Sequence, residues 1–177
     1  MISSVIRRPF CDRVWCILST FFSLTVLQCN IRAYYAKLYP YATKSENDSM
    51  LTVGIVVMVA LPLIGYFDEH EYKIIHGIVS ACFFLGTVIY AEMFTNRFNK
   101  YKAHFPAQIK NIERLYKLSH YMWIILGLFA ISFPLGAAPP LWEWILGVMY
   151  LNFFSFASLD IDYYETVEPV TEEKKNE

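Results

Sequence analysis

The chain has 177 residues, of which 56% are hydrophobic and only 18% charged, with a net charge of −1 and a mean hydropathy of +0.34. Soluble domains carry roughly 25% charged residues, so an ordinary water-soluble globule is excluded, and the lack of any basic excess excludes a general nucleic-acid binder. The apolar residues fall in long blocks, not in period-2 or period-3.6 stripes, which makes this an all-α, polytopic transmembrane helical bundle.

About 20 mostly apolar residues cross a hydrocarbon core of roughly 30 Å as a helix. Five segments qualify: Val14–Ile31, Leu51–Phe67, Ile74–Phe94, Leu118–Ala138 and Leu141–Leu159. Hydrocarbon leaves no backbone group unsatisfied, so runs of this length without barrel-like alternation are helices. The transmembrane domain is expected over residues 1–162, followed by a disordered cytosolic tail over residues 163–177 that is acidic and then polar.

Ahead of the first span stand Arg7, Arg8 and Arg13, a basic cluster that by itself favours a cytosolic start or, less readily, a cleaved signal peptide. Of the four cysteines, Cys16, Cys29 and Cys82 lie in apolar blocks and Cys11 just before one; no CxxC spacing suggests metal. Tyr34, Tyr35 and Tyr39 follow the first span, Tyr66 and Phe67 end the second, and Trp142 and Trp144 open the last, at headgroup level where amphipathic rings settle. Pro62 falls inside the second span, where it removes a ladder hydrogen bond and predicts a kink.

The link Asp68-Glu69-His70-Glu71-Tyr72-Lys73-Ile74-Ile75-His76 is the most chemically suggestive string, because carboxylates beside imidazoles transfer protons, bind metal or hold headgroups. It lacks the zincin spacing of two His four residues apart with a Glu beside the first, so it reads first as a solvated acidic cap and second as a headgroup-binding site, with no metal. Further on, Thr95–Lys117 carries Arg97, Lys100, Lys102, Lys110, Arg114 and Lys117 among aromatic residues, a pattern suited to an anionic leaflet, a lipid headgroup or a partner. Pro134, Pro139 and Pro140 mark the turn that makes the last two spans an antiparallel hairpin.

Ionisable groups at membrane depth are costly, about 2.5 to 3.5 kcal/mol at a helix centre on insertion scales, so each needs a reason. His76, Glu92, His120 and Glu143 lie near span ends, within reach of headgroups. Asn152 lies mid-span and is expected to hydrogen-bond a neighbouring helix. With no nucleophile elbow, phosphate loop or paired-carboxylate arrangement, nothing in the sequence supports catalysis or a cofactor.

Five spans put the termini on opposite sides. One side collects eleven Lys and Arg, including Arg97–Lys117, and the other only Arg7, Arg8, Arg13 and Lys73, which predicts a cytosolic C-terminus and an N-terminus outside. The sequon Asn47-Asp48-Ser49 is cytosolic in this orientation and lumenal in the reverse one.

The order of features resembles the Frag/DRAM/Sfk family of multi-span membrane proteins. The resemblance rests on a short acidic link, then His76 followed by Gly77, Ala81, Phe83, Phe84, Gly86 and Tyr90, a long basic loop, and a last span with Glu143-Trp144, Asn152-Phe153-Phe154 and Asp160. It covers residues 14 to 162, and the basic loop with Asn152 looks closer to the branch of post-GPI-attachment to proteins factor 2 than to the DRAM branch. Six spans with cytosolic termini are usual there, so the first span here corresponds to the family's second. The resemblance implies lipid remodelling of glycosylphosphatidylinositol (GPI) anchors and maturation of GPI-anchored proteins in the Golgi or endoplasmic reticulum, with His76, Glu143, Asn152 and Asp160 as candidate functional residues. Its other branches imply a regulator or scaffold binding phosphoinositides or partners, at a lysosomal or plasma membrane. A small subunit of a large membrane complex is a third reading.

Overall fold

A computed structural model describes residues 9–31, 38, 40–67, 69–101, 112–132 and 139–165, which among themselves form helices and short turns and no strand. The five helices are α1 (Pro9–Phe22, continued by a π-helical turn Ser23–Leu27 and on to Ile31), α2 (Lys44–Tyr66), α3 (Lys73–Tyr101), α4 (Ile112–Ser132) and α5 (Pro139–Glu165). The helical stretches Arg13–Ile31, Lys44–Tyr66, Lys73–Tyr101 and Glu113–Ser132 are long and apolar enough to cross a membrane. α5 carries a shorter apolar stretch, Leu141–Ala157, inside its 27 residues.

Apolar length locates the spans, but other chemistry sets where the helices end. α2 begins at Lys44, well before its first apolar run, because Thr43 and Glu46 close a capping box: the Glu46 N–H donates to Thr43 Oγ1 at 3.3 Å, and the Thr43 N–H donates to Glu46 Oε2 at 2.9 Å. Pro62 is carried inside this helix. α3 runs on through Tyr101, so Arg97 and Lys100 are helical and not part of a loop. α5 continues through Glu165, three residues into the stretch read as tail. Asn47, the sequon asparagine, is only 3% exposed, with Nδ2 donating to the Ala42 carbonyl, so this fold has no room for a glycan there.

Each helix packs mainly on its chain neighbours, and α3 also touches α5. The expected hairpin of the last two spans is present in the α4–α5 contact. Part of the core lies among α3, α4 and α5, where Phe94, Met122, Leu146 and Phe153 are fully buried and the Phe94 ring meets Phe98 at 4.7 Å and Phe153 at 5.9 Å. Facing outward are Ile17, Phe21, Ile74, Ile78 and Ile131, each more than half exposed, which gives the bundle an apolar exterior.

Lipid tails supply no hydrophobic drive to bring helices together, so close packing at small residues has to do it. A Cβ on Gly65 would lie 2.9 Å from Trp15 Cδ1 and Cys16 Sγ of α1; one on Gly86 would lie 2.9 Å from Val57 Cγ2 of α2; one on Gly54 would lie 2.9 Å from Ile31. At these glycines α2 packs closely against both neighbours. The π-helical turn adds a polar tie: the Ser23 hydroxyl donates to the Met58 carbonyl of α2.

Replacing Gly65 with Val overpacks the α1–α2 contact and is expected to destabilise the protein by about 1–3 kcal/mol. Gly77→Ala, where a Cβ meets nothing within 4 Å, is expected to be neutral or slightly stabilising. Thermal unfolding of both variants in detergent, against the parent chain, checks the difference.

Candidate functional site

Because α1 associates with α2 and α5 with α3 and α4, a cleft of about 740 Å³ remains between α1 and α5, floored by α2 and α3. That size falls within the roughly 300–1,000 Å³ usual for small-molecule sites. Its walls are Trp15, Leu18, Phe21, Phe22 and Val26 on one side and Trp144, Val148, Leu151 and Phe154 on the other, over Leu61, Ile64, Phe83 and Phe84. Leu18, Phe21, Trp144, Val148 and Leu151 are each more than half exposed, so the rim is open at the apolar surface of the bundle.

One end of this apolar cleft is polar. Glu69 from the α2–α3 turn, His76 from the first turn of α3 and Glu143 from the start of α5 all line it, with Ser80 one helical turn below His76. Two of the residues singled out by sequence, His76 and Glu143, are thereby brought together although 67 positions separate them (143 − 76). Glu69 belongs to the acidic link that the sequence singles out as a headgroup-binding alternative, whereas Ser80 is not singled out there. For Ser80 a signal existed: a four-residue step from His76 places both side chains on one helix face.

His76 Nδ1 lies 2.6 Å from the Phe67 carbonyl oxygen. A carbonyl only accepts, so Nδ1 carries the proton; in the neutral ring Nε2 then holds the lone pair and acts as an acceptor. The loop that ends α2 therefore sets the tautomer of a residue that opens α3. The floor is fixed from the other side by Tyr150, whose hydroxyl donates to the Phe84 carbonyl at 3.0 Å and whose ring meets Phe83 edge-on at 5.7 Å.

Asn152 and Asp160 do not join this group. Asn152 is exposed, and its Nδ2 donates to the Val148 carbonyl of its own helix at 2.7 Å, in place of the expected bond to a neighbouring helix. Asp160 is in the helical run of α5, with its side chain outside the described residues. Among the described residues there is no cluster of three or more His, Cys, Asp or Glu that would hold a metal ion.

At the opposite end of the bundle, the six basic positions divide. Arg97 is 8% exposed and donates to Ser49 Oγ at 2.8 Å, and Lys100 Nζ sits 2.7 Å from Glu46 Oε1, so both tie α3 to the first turns of α2. Tyr101 joins them, its hydroxyl donating to Glu46 Oε2 at 2.8 Å. Arg114 and Lys117 are exposed on α4, while Lys102 and Lys110 lie outside the described residues. Nearby, the Trp123 indole N–H of α4 donates to Glu92 Oε2 of α3 at 2.6 Å.

Glu46 and Lys100 lie beyond the apolar spans, which open at Leu51 and close at Phe94. The Lys100 ammonium, followed by the Thr43 N–H, holds the Glu46 carboxyl down at about 2, from an ordinary 4.5. A depressed folded-state value means that the contribution to stability is full above about 4.5 and is lost as pH falls from there towards about 2. Glu46→Gln is accordingly expected to lower the melting temperature slightly at neutral pH, with the gap from the parent chain closing over that acid window. Paired melting curves from pH 7 to pH 2 measure it.

No protein-family model, curated protein or solved structure matches this chain.

Proposed function

We propose that this chain is a multi-span protein of the secretory pathway, in the Golgi or endoplasmic reticulum, that holds a membrane lipid during lipid remodelling of GPI anchors and maturation of GPI-anchored proteins. The observation that carries the reading is the cleft: apolar along its length, open to the lipid phase at its rim, and closed at one end by Glu69, His76 and Glu143. A head rich in hydroxyl and amine donors, as a GPI glycan is, suits two carboxylates and an imidazole acceptor. His76 and Glu143 are also residues on which the family resemblance rests, so chemistry and pattern point to the same end of the bundle.

The reading as a phosphoinositide-binding regulator draws less support, because Arg97 and Lys100 are engaged with Ser49 and Glu46. The reading as a subunit of a membrane complex draws on Asn152 and Ser155, two exposed polar side chains on α5, since a polar side chain facing lipid favours a partner helix. A stable stoichiometric assembly on gentle purification would favour it.

The test is complementation. Cells lacking the gene are expected to show altered surface display of GPI-anchored proteins or altered acyl chains in their anchors, restored by the parent chain and not by the His76→Ala, Glu143→Ala double variant. Flow cytometry and mass spectrometry of released anchors give the readouts; unaltered display and unaltered anchor lipids in the deletion would overturn the proposal.

A further inference from the structure

Hydroxyls at membrane depth normally find a backbone carbonyl, because hydrocarbon offers no other acceptor. Among the described serines and threonines of the five apolar spans this is the general rule. Thr20 donates to the Cys16 carbonyl at 2.6 Å, Thr25 to Phe21 at 2.7 Å, Thr87 to Phe83 at 2.7 Å and Ser155 to Leu151 at 2.7 Å. Ser80 is the exception: its hydroxyl has no partner among the described residues, and it lines the cleft. One turn above it is His76, whose proton is committed to Phe67 through Nδ1, leaving Nε2 as an acceptor. A donor and an acceptor therefore stand one above the other on one face of α3, about 6 Å apart along the axis.

The rest of the cleft fits what such a pair would hold. From Glu143 to Phe154 along α5 the rise is about 16 Å, close to half of a hydrocarbon core of roughly 30 Å. That is the depth of one leaflet, and aromatic and aliphatic side chains line it throughout. Ser80 sits within the first turns of the span that opens at Ile74, just inside the hydrocarbon boundary, where the linkage between a lipid's head and its chain lies. Gly147, which also lines the cleft, would carry a Cβ there without meeting any atom within 4 Å. A side chain at this position would extend into the open space of the cleft.

We propose that the cleft takes one acyl chain of an ester-linked lipid, with the Ser80 hydroxyl donating to the acyl carbonyl and His76 Nε2 accepting a proton donor of the head. Ser80 is then the residue that distinguishes an ester-linked chain from an ether-linked one, which has no carbonyl to accept its bond. The inference rests on the reading of the cleft as a lipid site and is independent of GPI-anchor maturation.

The full chain in phosphatidylcholine vesicles is photolabelled with a phosphatidylinositol whose acyl chain carries a diazirine and an alkyne, and the label is mapped by peptide mass spectrometry. Unlabelled diacyl phosphatidylinositol and its dialkyl ether counterpart serve as competitors. Label is expected on Phe22, Phe84 and Leu151, with the ester competing about fivefold to tenfold better than the ether, the range one neutral hydrogen bond produces. Ser80→Ala is expected to keep the label and erase the preference, and Gly147→Leu to lose the label at those positions while unfolding at the parent temperature. Equal competition by ester and ether, or a preference that survives Ser80→Ala, overturns the role of Ser80. Label spread evenly over outward positions such as Ile78 and Ile124 overturns the lipid site itself. An ester preference that depends on Ser80, combined with unaltered GPI anchors in the deletion, would leave this inference standing and remove the function proposed above.

Discussion

Apolar side chains have nothing to gain by leaving lipid for protein, so the bundle depends on helices that approach closely enough for dispersion and polar ties to act. α2 is where this happens. Gly65 admits Trp15 and Cys16 of α1, Gly54 admits Ile31, and Val57 fills the notch left by Gly86 of α3. With α1 fixed to α2 and the α4–α5 pair fixed to α3, the two outer elements stand apart, and the cleft is the space their separate attachments leave. A bulkier residue at Gly65, which itself lines the cleft, would therefore act on the site by displacing Trp15 in its α1 wall.

The polar groups of the molecule sort by the end at which they lie. Around Glu46, the groups satisfy one another: Lys100, Tyr101 and the Thr43 N–H share a single carboxylate, and Arg97 meets Ser49. That end is a clasp between α2 and α3. At the other end Ser80 Oγ and His76 Nε2 have no partner among the described residues, and both line the cleft. They are available to whatever occupies it.

The class of fold was legible because a span is a local property: twenty apolar residues announce themselves without reference to the rest of the chain. Helix ends were less so. The capping box at Thr43 and Glu46 is a recognisable signal and accounts for the early start of α2, while the run of α3 past Phe94 into a polar stretch depends on the ties that Arg97 and Lys100 make to α2. Reading those two cations as leaflet contacts followed from counting charge without knowing their faces. Asn152 illustrates the same limit, since its position mid-span is visible in the sequence but the side of α5 on which it lies is set by how the helix is rotated. The meeting of Glu69, His76 and Glu143 depends on three helix ends arriving at one level, which no spacing encodes.

The π-helical turn Ser23–Leu27 has a consequence for how α1 reads along its length. In a regular α-helix a step of four residues overshoots one turn by about 40°, so positions spaced by four drift steadily round the axis. Ser19, Ser23 and Leu27 are spaced by four, yet all three are buried. The wider turn takes up the overshoot and keeps them in file. α1 thus has a register in two parts joined by one π-helical turn, and a single-residue insertion or deletion between Ser23 and Leu27 would rotate the half that walls the cleft against the half that ends at Ile31, leaving both halves helical.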